Sequence, residues 1–81
     1  MIPRIVDARY SHEYVIHLKF SDGTEGDVDL NQELHGEVFL PLLDLDYFKQ
    51  FTLHSELHTL TWPNGADFAP EYLYGKIKIT A

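Results

Sequence analysis

Apolar and polar residues alternate along 14–20, with Tyr14, Ile16, Leu18 and Phe20 on one side and Val15, His17 and Lys19 on the other. Period two is the mark of a half-buried strand. Residues 5–10 read as a preceding strand, joined through Ser11-His12-Glu13. Ser21-Asp22-Gly23 follows at once and predicts a hairpin, because Asp-Gly supplies the positive φ that tight turns need. Residues 24–30 return, with Val28 and Leu30 on one face and Glu25, Asp27 and Asp29 on the other. These three strands make an antiparallel meander.

The pattern then shortens. Asn31 is placed to cap a turn through Leu34 that Gly36 ends. Phe39, Leu40, Leu42 and Leu43 surround Pro41 and read as a buried loop. Asp44 is a good N-cap for a short helix over 45–50, with Leu45 and Phe48 on its inner face. Residues 51–54 and 58–62 alternate as a second hairpin around Ser55-Glu56-Leu57. Pro63-Asn64-Gly65 is a tight turn. Pro70 suits the first position of a last helix, with Phe68 and Leu73 spaced for a hydrophobic staple and Gly75 as its end. The alternating tail Lys76-Ile77-Lys78-Ile79 suits an extra C-terminal edge strand. The reading is α+β, an antiparallel sheet in the order βββ-α-ββ-α. The 81 residues have room for a single domain.

Composition narrows the classes. The apolar fraction of 44% and 14% aromatics supply a core and argue against disorder. With no cysteine there are no disulfides, thiolate metal sites or cysteine nucleophiles, which suits a reducing cytoplasm. No signal peptide or membrane-spanning run is present in the sequence. The net charge of −7 and the scattering of only 6 Lys and Arg argue against direct nucleic-acid binding, which needs a clustered basic face.

Candidate chemistry is sparse. His54 and His58, spaced i, i+4, with Glu56 between them, form a weak metal-ligand set. The threonines around them favour strands, so two polar hairpin positions is the competing reading. The run from Asp22 to Glu33 has the span of a calcium loop, but Gly26 and Asp27 stand in the reverse of the required order. No carboxylate pair is marked by an apolar cleft, no serine lies in a nucleophile elbow, and no glycine-rich phosphate loop occurs. No cofactor is expected. The densest stretch is 62–74, where Trp62, Asn64, Asp67, Tyr72 and Tyr74 form a candidate interaction surface. Its structural alternative is a strand–turn–helix corner in which Asp67 bonds backbone N–H groups and Trp62 is buried against the 14–20 strand or the last helix.

The chain resembles a bacterial family catalogued as domain of unknown function 2442. The resemblance rests on Phe20-Ser21-Asp22-Gly23, Asp29-Leu30, Phe39-Leu40-Pro41-Leu42, Asp44, Phe48, the Trp-Pro-Asn-Gly-Ala-Asp motif at 62–67 and Pro-Glu-x-Leu-Tyr at 70–74. It implies a small α+β domain and does not supply an activity. It also implies a regulatory or toxin–antitoxin-like pair with a small protein encoded by a neighbouring gene. Labels borrowed in that family from molybdopterin biosynthesis do not fit a chain without a nucleotide-binding signature. The expectation is a non-enzymatic protein-interaction module, with a homo-oligomer also open. The alternative is a small-molecule or metal-binding protein, or a minor enzyme.

Overall fold

The computed structural model describes residues 3–56 and 58–80, with side chains up to residue 77. Three antiparallel strands form the main sheet in the order β1 (Ile5–His12), β2 (Val15–Phe20) and β3 (Glu25–Asp29). Two short 3-10 turns follow, Asn31–Glu33 and Leu40–Leu43, then α1 (Leu45–Phe48). β4 (Thr52–Leu53) and β5 (Leu60–Thr61) make the second hairpin, and α2 (Pro70–Thr80) closes the chain.

The sheet keeps the alternation read from the sequence except at Val15, which the pattern places on the polar side and which is buried. Ile16, Leu18, Phe20, Val28 and Leu30 are buried on one face, while Lys19, Glu25, Asp27 and Asp29 are exposed. The core cluster joins these residues to Leu42, Phe48, Leu60, Trp62, Phe68, Leu73 and Ile77. β2 lies between its two neighbours, so it is the most buried strand. The β1–β2 register slips between Ile5 and Asp7 and again between Tyr10 and His12. At the first slip Val6 is the extra residue, and it stands exposed.

Two turns share one construction. Gly23 N–H donates to Phe20 O at 3.0 Å, and Gly65 N–H donates to Trp62 O at 2.9 Å. Both glycines are left-handed, with φ of 91° and 89°, a conformation that a Cβ would penalise. In each turn the Asx residue before the glycine accepts a backbone N–H two residues on. Thr24 N–H reaches Asp22 Oδ1 at 2.9 Å, and Ala66 N–H reaches Asn64 Oδ1 at 3.1 Å.

Several expectations change. Helix α2 does not stop at Gly75, and 76–79 is helical rather than an edge strand. The reason is burial. Leu73 and Ile77 stand i, i+4 on one helical face, and both enter the core. Ile77 packs over Gly26 of β3, where an added Cβ would stand a tight 3.2 Å from Ile77 Cγ2. The segment around Pro41 is not a buried loop: Leu42 is buried and Phe39 half-buried, but Leu40 and Leu43 face solvent. On α1, Phe48 is inward, whereas Leu45 is exposed. Asp44 caps α1 as expected, accepting from Asp46 N–H at 3.1 Å. Asn31 makes no cap bond; its own N–H is held by Asp29 Oδ1 at 2.9 Å.

Candidate functional site

The five residues of the 62–74 corner have different fates. Trp62 is 3% exposed, so it is a core residue and not part of an interaction surface. Its ring meets Phe48, Phe51 and Phe68 at centroid distances of 5.8, 6.2 and 5.8 Å. Its indole N–H donates to Phe48 O at 2.8 Å. Its aromatic partners therefore lie on α1, beside β4 and just before α2, and it shares the core cluster with Ile16, Leu18 and Phe20 of the 14–20 strand and Leu73 of the last helix. Tyr74 is half-buried and edge-on to Phe20 at 5.0 Å. Its hydroxyl donates to Asp22 Oδ2 at 2.6 Å, so α2 is tied to the β2–β3 turn.

Asn64 does the work that the sequence assigned to Asp67. Its Oδ1 holds the turn, and its Nδ2 donates to Val38 O at 2.8 Å. Asp67 lies exposed in a single bridge opposite Thr61. Asn64 holds the turn by position, two residues before the N–H it accepts, as Asp22 does for Thr24; only the bond to the Val38 carbonyl needs the amide's donor.

Tyr72 is exposed, and its ring stacks on Phe68 at 6.2 Å with Lys76 Nζ 5.7 Å from its centroid. Glu33 completes this group, accepting from Lys76 Nζ at 3.2 Å. Its carboxyl is held below the usual glutamate range, first by the Tyr72 hydroxyl and then by the Lys76 ammonium, with burial opposing. The Tyr72 phenol is correspondingly pushed up, chiefly by its hydrogen bond to Glu33. The group ties the first 3-10 turn to α2.

His54, Glu56 and His58 are not assembled as a ligand set. His54 Nδ1 accepts from Glu56 N–H at 3.1 Å, so this nitrogen serves the turn. Among the described residues no group of three His, Asp or Glu is placed to hold a metal ion.

Among the described residues a run of exposed apolar side chains lies elsewhere. Val38, Leu40, Leu43 and Leu45 are 50%, 52%, 43% and 37% exposed. Leu40 and Leu43 stand three apart in a 3-10 turn, which puts them on one face. The segment is held from beneath. Phe39 stacks on Phe68 at 5.0 Å. Asn64 grips the Val38 carbonyl and the Tyr14 hydroxyl donates to the Leu43 carbonyl. Exposed Glu37, Asp44 and Asp46 flank it. Sequence reading missed this ridge because an apolar run beside a proline reads as core. The available signal was that its four leucines, one valine and one phenylalanine were too closely spaced to face inward together.

Among the described residues no helix is long and apolar enough to cross a membrane. A comparison with curated proteins finds no match, and a comparison with solved structures finds none. A family model described as a protein of unknown function, DUF2442, matches residues 5–78.

Proposed function

We propose that this chain, which belongs to the DUF2442 family of proteins of unknown function, is a non-enzymatic cytoplasmic interaction module for a small basic protein. The observation that carries the reading is the exposed 38–45 ridge. Val38, Leu40, Leu43 and Leu45 are out in solvent while the backbone is fixed by side chains from the sheet and from the 62–65 turn. Contiguous exposed apolar surface rimmed by charge marks interaction sites. A segment already ordered loses little entropy on binding. The acidic rim and the net charge of −7 favour a cationic partner and steer its approach. A partner encoded beside this chain, in a regulatory or toxin–antitoxin-like pair, suits that chemistry.

The full chain, tagged and expressed at native level in its host, is expected to recover one small basic protein in stoichiometric amount. Leu40→Glu should fold and lose it. Recovery of no partner contradicts the reading, as does self-association through the ridge in place of a partner.

A further inference from the structure

An open groove of about 580 Å³ runs between the start of β1 and the second hairpin, lined by Arg4, Ile5, Val6, Ser21, Leu53, His54, Ser55 and His58. The ridge is not part of it. Its volume falls in the range of small-molecule sites. In a chain with 13 acidic and 6 basic residues, no carboxylate lines this groove among the described residues. Arg4, Ser21, Ser55 and the two imidazoles instead bring donors around an apolar floor of Ile5, Val6 and Leu53.

The groove is built by irregular backbone. The bulge in β1 leaves Val6 unpaired and turned outward, and bulges are used to re-aim side chains beside sites. His58 is left-handed, with φ of 55°. It is held there by its own N–H to His54 O at 2.9 Å and by Ile5 N–H to its carbonyl at 3.2 Å. Arg4 is fixed at its backbone, where its N–H donates to Ser21 Oγ at 3.0 Å and its carbonyl accepts from Ser21 N–H at 2.8 Å. That bond uses a lone pair of Ser21 Oγ and leaves the hydroxyl proton available to donate.

We propose that this groove binds a small organic carboxylate with a short apolar tail. The guanidinium is the natural partner, since its planar fork matches a carboxylate with two parallel N–H···O bonds. Ser55 and His58 supply further donors, and the tail covers Val6 and Leu53. This reading stands apart from the protein partner, and neither site depends on the other.

The test is titration of the full chain with hexanoate and with the isosteric neutral hexanamide, followed by backbone amide chemical shifts. Hexanoate should give saturable shifts confined to the strand start at Arg4, the turn at Ser21 and the loop at Ser55 and His58. Hexanamide should bind about tenfold more weakly or not at all, as expected when a charged hydrogen bond is removed. Arg4→Gln should weaken hexanoate by a similar factor, and so should His58→Asn, chosen because asparagine tolerates the left-handed backbone. Inorganic phosphate binding more tightly than hexanoate would overturn the ligand class. Equal binding of the amide, absence of saturable shifts, or hexanoate affinity unchanged in both folded variants would overturn the site.

Discussion

Asp22, Asp29, Asp44 and Asn64 each accept the backbone N–H of the residue two places on, at 2.9 to 3.1 Å. Three of the 13 acidic residues are therefore turn structure, in which short polar side chains replace missing backbone partners. Asp22 and Asn64 go further, and each spends its second polar atom on a distant element. Asn64→Asp removes the donor to the Val38 carbonyl and sets a carboxylate oxygen against it. It should cost about 1–3 kcal/mol in a denaturant titration. Asp67→Ala removes nothing comparable and should stay within about 0.5 kcal/mol of wild type. Equal effects of the two substitutions would refute this assignment. The Glu33 carboxyl, lowered from the usual 4.5 chiefly by the Tyr72 hydroxyl, favours the folded state when ionised. That contribution is present above the unfolded value and is lost as pH falls through the lower, folded value. Thermal unfolding followed downward through this window should fall more steeply for wild type than for Glu33→Gln, by a margin of order 0.5 kcal/mol for so solvated a group. Parallel curves would show that Glu33 gains nothing from its neighbours.

At the scale of elements, the contact of α2 with β3 is set by one glycine. A Cβ on Gly26 would stand 3.2 Å from Ile77 Cγ2, closer than most side chains settle. Gly26→Ala should therefore cost about 1 kcal/mol by overpacking. In an Ile77→Ala background the same change should be neutral or stabilising, and a double-mutant cycle reads the difference. Additivity would mean that the two do not touch. This contact also explains where sequence reading succeeded and where it failed. The meander was legible because period two and the Asp22-Gly23 turn are local signals. So were the Asp44 cap and Pro70 at the start of α2. The fate of 76–79 was not legible. Lys-Ile-Lys-Ile alternates like a strand, but its side-chain spacing also continues the Leu73 face, and only the sheet opposite decides between them. The missing Asn31 cap has a related reason: the register of the turn makes Asn31 the donor to Asp29 instead.

Across the whole molecule, Trp62 and Phe68 of the 62–74 corner turn inward, while Leu40, Leu43 and Leu45 of the 38–45 segment turn outward. A sequence shows both as dense apolar clusters, and local pattern cannot say which one the core takes up. Trp62 wins burial because the Phe48 carbonyl receives its N–H and three phenylalanine rings surround it. Leu40 and Leu43 are left on the surface because Phe39 and Leu42 already fill the space beneath. The corner bears on the proposed binding surface at one remove, with Asn64 fixing the ridge through Val38. The central claim is that this ridge is the binding surface. It is tested most directly by the affinity of the purified basic partner for wild type and for the Leu40→Glu/Leu43→Glu double variant. Both side chains are exposed, so the variant should keep the wild-type unfolding curve. A leucine at the centre of an interface is expected to cost about 1.4 kcal/mol when lost, less than an aromatic or arginine anchor, so affinity should fall about a hundredfold. A folded double variant that binds the partner as tightly as wild type would contradict the account.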